Sequence, residues 1–450
     1  MKILILSPYP PYPPHGGGTM RIYQLVRGLA AQHDVTCLSF ASDAAAEQAL
    51  APLQRVCRVV TVRGPLVRSL PRRAWTTLAS PLPDMALRNA ATAYAAALRA
   101  LLATEQFDIV QAESIEMAGY LLRVKNDELR LKRAQAVDNS KLKTMPVSPA
   151  KAQNPKLVLD QFNAEYVLQK RAALTSLQAG LRLPTHARVL TASAVGIVGG
   201  AYSLAQWRKL KRYEALVMRQ CDAVVAVAEA DRTTLLGLAP EATIGVVPNG
   251  VDTAYFSSAA MAHDRVGALA FSAPTLVFSG TLDFRPNVDA ITWFVREVLP
   301  RVRAHRPDVR LLVVGKRPAP ALRWLADEGT LLLTGELSDV RPYIAGAAVY
   351  IVPMRIGGGV RLKLLEALAL EQPVVSTSMG AEGLAGLHAG EHCLLADEAA
   401  GFAKATLHLL DDPALGRRLG AAGRVLVCQR YDWSVIVPQL EALYQEIVGA

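Results

Sequence analysis

The sequence predicts an α/β protein with two doubly wound domains, each built on a parallel sheet with helices on both faces. Short apolar runs alternate with helix-sized amphipathic segments along the chain, which is the pattern of buried parallel strands and their crossover helices. This alternation gives way to small residues before Ala273 and then restarts. A chain of 450 residues that is 51% hydrophobic and 20% charged is long enough for two such cores.

The first domain opens with an apolar strand at 3–7, a turn-rich segment containing Gly16, Gly17 and Gly18, and an amphipathic helix. Further strands are predicted at 35–40, 59–62, 108–112, 223–228 and 244–248. The stretch 126–156 is polar and lacks periodicity, so we interpret it as a mobile insertion in this domain.

The second domain repeats the pattern, with helices predicted near 288–304 and 361–370. Its strands are predicted in TLVFSG (275–280), RLLVVG (310–315), VYIVP (349–353) and PVVST (373–377). The predicted division is 1–255, 256–430 and a final helix at 431–450. Ligands of open parallel sheets bind beyond the carboxyl ends of the strands, so two such domains facing one another would enclose a central cleft.

Composition restricts the compartment and the partners. The five cysteines form no C-x-x-C pair, and the apolar run before Pro8 is too short for a signal peptide, so a cytoplasmic protein is expected. Residues 1–250 hold 30 Lys and Arg against 18 Asp and Glu. Within 51–100, eight arginines stand against one acid, Asp84. Such a surplus favours phosphates, anionic lipid or nucleic acid, although a solvated arginine-rich face explains it equally well. No aromatic-interleaved basic motif occurs, so nucleic acid is not an expected partner.

A neutral run at 189–207 is followed by the basic sequence RKLKR. Its length permits a membrane span, but Ala, Gly, Ser and Thr dominate it. We therefore expect a buried helix, or one in peripheral contact with the inner face of the membrane.

Two glycine triplets each precede a helix. The triplet at 16–18 could bring backbone N–H groups to an anionic or sugar group, or could simply form a flexible turn, and Met20 breaks the dinucleotide fingerprint. The triplet at 357–359 opens a helix that carries Lys363 and Glu366. Its amides and the helix dipole could hold a diphosphate, with Lys363 neutralising charge and Glu366 accepting from a ribose diol. The alternative is a surface Lys–Glu pair on an ordinary amphipathic helix.

No metal-ligand spacing, serine-nucleophile elbow or P-loop is present in the sequence. A leaving group would therefore be stabilised by Lys, Arg and backbone dipoles. We expect neither a metal nor a cofactor.

Several segments jointly resemble family 4 glycosyltransferases of GT-B fold, which are retaining enzymes that use nucleotide-sugars. These segments are GGGTMRIYQLVRGLA (16–30), DQFNAEYVLQKR (160–171), VVPNGVD (246–252), FSGTLDFRPNVDA (278–290), GGGVRLKLLEALA (357–369) and PVVSTSMGAEGL (373–384). The resemblance implies that the C-terminal domain binds the donor nucleotide, that the N-terminal domain binds the acceptor, and that the last helix crosses back onto the first domain.

The chain departs from this family at its site. The family's first glutamate of an E-x7-E pair is Gly358 here, so only Glu366 carries over. The family's Arg and Lys after the first strand of the second domain correspond to Thr281 and Asn287, and its acceptor-side histidine corresponds to Phe162. Asp160 or Glu165 could replace that histidine, or could serve in capping or a salt bridge.

The resemblance thus implies hexose transfer from a nucleotide diphosphate sugar to a glycan, lipid-linked or polysaccharide acceptor. The alternatives are a nucleotide-sugar epimerase of the same fold and an inactive scaffold at the membrane. Catalytic roles are assigned to Lys363, Glu366 and Asp160. The loop from Thr334 to Asp339 is assigned to the nucleobase, together with Lys316. The donor-binding residues are predicted to be Gly280, Arg285, Asn287, Lys316, Arg355, Gly357, Gly358, Gly359, Val360, Arg361, Lys363 and Glu366.

Overall fold

The computed structural model describes residues 1–14, 16–65, 68–127, 154–170, 174, 189–260, 271–357 and 359–449. Gly358 and residues 128–153, which form most of the predicted insertion, lie outside these ranges. The chain divides into two compact units, Met1–Val247 with Val437–Ala450, and Pro248–Ile436. The units change at 247 and 436, whereas the predicted changes are at 255 and 430.

The two connecting segments of the second unit pair with each other. The backbone N–H of Val251 donates to the carbonyl of Tyr431 at 2.8 Å, and Val251 forms a parallel bridge with Asp432. The Thr253 hydroxyl donates to the Asp432 carboxylate at 2.6 Å. These contacts assign residues 248–255 and 431–436 to the second unit.

In the first unit, the described residues form a seven-stranded parallel sheet with the order β3-β2-β1-β4-β5-β6-β7. Its central strands are buried along nearly their whole length, because helices cover both faces. The strands are β1 Lys2–Ser7, β2 Asp34–Ala41, β3 Arg58–Arg63, β4 Ile109–Glu113, β5 Lys156–Gln161, β6 Ala223–Ala226 and β7 Ile244–Val246.

The helices of this unit connect the strands, and residues 118–127 and 165–170 are also helical. Its named helices are α1 Gly17–Leu29, α2 Ala44–Gln48, α3 Ala51–Gln54, α4 Leu70–Ala79, α5 Asp84–Arg88, α6 Thr92–Thr104, α7 Val189–Gln220 and α8 Glu229–Leu236. The neutral run at 189–207 forms the first part of α7. Near the end of this run, Gln206 accepts from the Asp84 backbone N–H at 2.7 Å, and just beyond the run Lys209 donates to the Ser80 carbonyl at 2.6 Å. No helix among the described residues has the length and apolar character needed to cross a membrane.

The C-terminal helix, α17 (Trp433–Gly449), lies mostly on the first unit. Tyr444 is fully buried and its hydroxyl donates to Gln111 Oε1 at 2.6 Å. A Cβ on Gly245 would lie 2.9 Å from the side chain of Leu443. The helix therefore packs directly against the backbone of the first sheet.

In the second unit, the described residues form a six-stranded parallel sheet with the order β10-β9-β8-β11-β12-β13. The strands are β8 Thr275–Ser279, β9 Arg310–Val314, β10 Leu332–Leu333, β11 Val349–Val352, β12 Val374–Ser376 and β13 Leu394–Leu395. The helices are α9 Arg285–Trp293, continued by a π-helical turn at Phe294–Val298, α10 Leu299–Arg303, α11 Pro320–Asp327, α12 Arg341–Ala345, α13 Leu362–Ala369, α14 Ser378–Ala381, α15 Ala399–Asp411 and α16 Pro413–Arg430. The predicted fold class of two doubly wound parallel sheets is confirmed.

Candidate functional site

The order of the second sheet places a candidate site between β8 and β11. The chain winds outward in opposite directions from these two neighbouring strands, so the loops that follow them diverge and leave a crevice at their carboxyl ends. The loop after β8 begins at Gly280, and the loop after β11 contains the glycine-rich segment that leads into α13. Both loops carry residues that the sequence assigns to the donor site.

Lys363 projects from the first turn of α13 into this crevice. Its Nζ donates to Asn287 Oδ1 at 2.9 Å and lies 3.8 Å from the centre of the Phe278 ring. Asn287 is itself oriented, because its Nδ2 donates to the Thr281 carbonyl at 2.8 Å. The ammonium group is therefore held at a defined position by an amide oxygen and an aromatic face.

Gly280 makes room for this arrangement. Its φ of +150° lies in a region that favours glycine. A Cβ at this position would lie 2.9 Å from both Asn287 Nδ2 and Lys363 Nζ. A side chain here would therefore displace the two groups that form the base of the crevice.

Burial in the crevice shifts the pKa values of Lys363 and Glu366 toward each other. Burial lowers the pKa of Lys363 to about 7, and the nearby charge of Arg361 lowers it in the same direction. Burial raises the pKa of Glu366 to about 7, against the opposing effect of Lys363. Both side chains keep partial access to solvent. Because burial shifts the pKa of both residues, they are not a solvated surface pair. An anionic ligand would favour the charged form of Lys363.

The glycine-rich loop approaches the start of α13. Gly357 and Gly359 have φ values of +143° and +71°, and a Cβ on Gly357 would overlap the Arg361 guanidinium. Val360 is buried, and Arg361 is the N-cap residue of α13. The N–H groups that precede a helix at this position are suited to an anion.

The other basic residues assigned to the donor site lie in separate interactions. Arg355 forms a bidentate pair with Asp289, with N–O distances of 2.7 and 3.1 Å. Lys316 donates to Glu336 at 3.2 Å, which links the loop after β9 to the loop assigned to the nucleobase. Arg285 is exposed at the first position of α9. Lys363 is therefore the basic residue that the described contacts place beside Gly280.

Sequence reasoning missed Phe278, whose ring packs under the Lys363 ammonium. Phe278 lies near the end of β8, two residues before Gly280. An aromatic residue at that position is the signal from which its role could have been predicted. It missed the pairing of Lys363 with Asn287 as well, because the two residues are 76 positions apart.

In the first unit, the triplet Gly16–Gly18 is explained by packing and turn chemistry. A Cβ on Gly18 would overlap the Tyr9 hydroxyl and lie 3.2 Å from the Phe162 ring. The Gly16 N–H donates to the Thr19 hydroxyl at 2.9 Å, and that hydroxyl donates to the Gly16 carbonyl at 2.8 Å. Gly17 is the first residue of α1. The described contacts thus favour the structural interpretation of this triplet.

Asp160 is wholly buried and forms a bidentate ion pair with the buried Arg21, at N–O distances of 2.8 and 3.0 Å. Its neighbour across the sheet, Glu113, is buried too, and burial together with the Asp160 charge raises its pKa well above the usual range. Asp160 therefore has the salt-bridging role that the sequence left open, and the geometry gives no support to a catalytic role for it.

Glu165 differs from Asp160 because it keeps partial access to solvent. Burial raises its pKa to about 7, and Asn163 donates to it at 3.3 Å. The adjacent Glu214 is fully buried and accepts from the backbone N–H groups of Glu165 and Tyr166 at 3.0 and 3.1 Å. Glu214 thus caps the helix at 165–170, and Glu165 is the more solvent-accessible of the two carboxyl groups.

Among the residues that the structure describes, no group of three or more His, Cys, Asp and Glu side chains is placed to hold a metal ion.

Comparison with known proteins finds similarity to glycosyltransferases over part of the chain. Residues 273–412, which include both loops of the crevice, match the family model for glycosyl transferases group 1. The chain is 32% identical over 214 residues to the phosphatidyl-myo-inositol mannosyltransferase of Mycobacterium tuberculosis, which is 45% of this chain and 54% of that protein. It is 27% identical over 263 residues to the glycogen synthase of the same species, which is 55% of this chain and 59% of that protein. The chain thus spans about half the length of the curated relatives it matches.

Solved structures share the fold over the whole chain. Sucrose-phosphate synthase from Thermosynechococcus elongatus has a TM-score of 0.67 at 17% identity, with 100% of both chains covered. The glycosyltransferase WaaG, described as involved in lipopolysaccharide biosynthesis, has a TM-score of 0.59 at 14% identity, again with 100% of both chains covered. The fold is therefore GT-B, with two Rossmann-like units. Together with the family match, it supports a group 1 glycosyltransferase.

Proposed function

We propose that the protein is a retaining glycosyltransferase that moves a hexose from a nucleotide diphosphate sugar to a glycan, lipid-linked or polysaccharide acceptor. The observation that carries this proposal is the Lys363 ammonium, held by Asn287 and Phe278 beside Gly280 at the crevice of the second sheet. A held cation next to a glycine-rich loop and a helix N-terminus fits a diphosphate.

The diphosphate is the leaving group, and its negative charge grows as the bond between the sugar C1 and the phosphate oxygen breaks. Lys363 and the N–H groups that precede α13 stabilise this charge more in the transition state than in the ground state, and that difference accelerates the reaction. The acceptor oxygen forms its bond to C1 on the same face, and the acceptor proton passes to the departing phosphate oxygen. Neither a protein nucleophile nor a metal ion is needed in this scheme.

Glu366 accepts hydrogen bonds from the ribose diol in this proposal, since it lies one turn along α13 from Lys363. The loop from Thr334 to Asp339 and Lys316 contact the nucleobase. Gly335 in this loop has a φ of +74°, and Asp339 is held by a bidentate pair with Arg341. The loop backbone is therefore supported on one side by an ion pair.

The relatives support the substrate classes. A mannosyltransferase of phosphatidyl-myo-inositol and a glycogen synthase are similar to this chain, and solved GT-B neighbours include HepE of Anabaena in complex with UDP-glucose. The basic first half favours an anionic, lipid-linked or polysaccharide acceptor, and with it a cytoplasmic protein at the inner face of the membrane.

The proposal is tested by thermal shift with UDP-, GDP- and ADP-sugars, on wild type and on Lys363→Ala and Glu366→Ala. A ligand that binds only the native state raises Tm. We expect one nucleotide series to stabilise the wild type and to lose that effect in both variants. If no nucleotide series binds, or if both variants respond like the wild type, the proposed donor site is wrong. Product analysis with the binding donor then separates transfer from epimerisation and from an inactive protein.

A further inference from the structure

The segment 377–383, which follows β12, packs along the glycine-rich loop that follows β11 (353–361). At its start, the Thr377 hydroxyl donates to the Met354 carbonyl. In its middle, a Cβ on Gly380 would lie 2.6 Å from the Val352 carbonyl. The segment therefore touches the end of β11 and the beginning of the loop.

The end of the segment reaches the other end of the same loop. Gly383 has a φ of +87°, and a Cβ there would lie 3.2 Å from both the Gly359 carbonyl carbon and the Val360 nitrogen. Val360 N–H is one of the groups that the proposed function assigns to the diphosphate. Glu382, the preceding residue, is therefore next to the glycine-rich loop.

The Glu382 carboxyl group has one oxygen that the protein leaves unused. Its Oε2 is shielded from solvent and has no hydrogen-bond partner among the residues that the structure describes. A shielded carboxylate oxygen without a donor is unfavourable, and such atoms in native proteins need a specific explanation. A ligand that brings an O–H or N–H group to this oxygen would remove the penalty.

The chemistry of the group decides which part of a donor it can bind. An ionised carboxylate only accepts hydrogen bonds and repels phosphate, so it cannot serve the diphosphate. Sugar hydroxyls are donors, and in a nucleotide-sugar the transferred hexose is attached directly to the diphosphate that the proposed function places at this loop. We propose that Glu382 binds a hydroxyl of the transferred hexose. This inference rests on the proposed function.

A contact to the hexose predicts a difference between two ligands that share the nucleotide. Affinities of UDP and UDP-glucose, and of GDP and GDP-mannose, are measured by calorimetry for wild type and Glu382→Gln. We expect Glu382→Gln to weaken the nucleotide-sugar at least tenfold and to leave the nucleoside diphosphate within twofold, because a hydrogen bond to a charged acceptor is lost only for the sugar. Equal weakening of both ligands, or no change in either, would overturn the inference.

Glu328→Gln is the matched control, since Glu328 is an exposed carboxylate of the same unit and should change neither affinity. Tm without ligand checks that each variant is folded. If the wild type binds neither nucleotide nor nucleotide-sugar, the proposed function fails. If it binds both and Glu382→Gln keeps their ratio, only the Glu382 inference fails.

A second measurement compares donor analogues on the wild type and on folded Glu382→Gln. Donor analogues that lack one hydroxyl at a time should identify one position whose loss weakens binding as much as Glu382→Gln does. The same analogue should cause no further loss in Glu382→Gln, because the two changes remove one interaction. If every deoxy donor binds the wild type as well as the parent sugar does, no hydroxyl is recognised and the inference is wrong.

Discussion

Binding of a nucleotide-sugar should change the protonation of Lys363 and Glu366 in opposite directions, depending on pH. Lys363 has a pKa of about 7, lowered from 10.5 chiefly by burial. Above pH 7 the free protein therefore carries mostly neutral Lys363, whereas a bound diphosphate requires the ammonium form. The protein must take up a proton on binding in this range.

Glu366 should release a proton on binding below pH 7. Its pKa is raised from 4.5 to about 7, so below pH 7 the free protein carries mostly the neutral acid. Accepting hydrogen bonds from a ribose diol favours the carboxylate, so binding releases a proton there. The two groups interact, so their pKa values describe the pair as well as each residue. Arg361, the third charged group that acts on Lys363, stays protonated throughout.

The magnitudes follow from linkage. At pH 8, Lys363 is about 90% neutral and Glu366 about 10% protonated, so binding should take up about 0.8 proton net. At pH 6 the proportions are reversed, so binding should release about 0.8 proton net. Affinity should therefore be highest near pH 7 and should fall at most about tenfold per pH unit on either side, equivalent to about 1.4 kcal/mol per unit.

The assay is isothermal titration calorimetry of the nucleotide-sugar between pH 5.5 and 8.5, in pairs of buffers with different ionisation enthalpies. A nucleotide-sugar is preferred to a free nucleoside diphosphate because it has no terminal phosphate that titrates in this range. Glu366→Gln should lose the proton release at pH 6 and keep the uptake at pH 8. If the wild type takes up no proton at pH 8, or if the uptake persists in Lys363→Met, the assignment of this proton to Lys363 is wrong.

Three further substitutions test single contacts in the two units. Gly280→Ala should weaken donor binding at least tenfold, because its Cβ would lie 2.9 Å from Lys363 Nζ at a backbone conformation that alanine rarely adopts; donor affinity by calorimetry checks this, and wild-type affinity would contradict it. Asn287→Ala should raise the donor KM and lower the pKa of Lys363 further, because the ammonium group loses its hydrogen-bond acceptor. Donor kinetics measured against pH test this, and Asn287→Asp is expected to restore the charged form of Lys363. Asp160→Asn should cost about 3–5 kcal/mol of folding free energy, since it removes the carboxylate of the buried bidentate pair with Arg21. Urea unfolding measures the loss, and a fully stable but inactive variant would return Asp160 to the catalytic residues.

The local features of this fold were readable from the sequence because they depend on neighbouring residues. The strand runs 3–7 and 275–280 alternate with helical segments in the printed order, and the observed strands Lys2–Ser7 and Thr275–Ser279 coincide with them. Lys363 and Glu366 were assigned to one helix and one site from their three-residue spacing. That spacing survives in any α-helix, so it needs no tertiary information.

The role of Asp160 could not be read in the same way. Its motif suggested either catalysis or a salt bridge, and the choice depends on Arg21, which is 139 positions away. Likewise, the position of the C-terminal helix depends on contacts such as that of Tyr444 with Gln111, 333 positions apart. No local pattern encodes which of many arginines or glutamines will become the partner.

The two α/β repeats, the glycine-rich loops and the charged groups on α13 follow from periodicity and residue type, so they were predictable from the sequence. Tertiary packing brings Lys363 to Asn287 over Phe278, buries Asp160 in an ion pair and places Glu382 beside the glycine-rich loop. The physical reason is that charge state and hydrogen bonding depend on desolvation and on partners brought together by packing. A parallel sheet joins residues that are far apart in sequence, and its crevice exists only after the strands have paired.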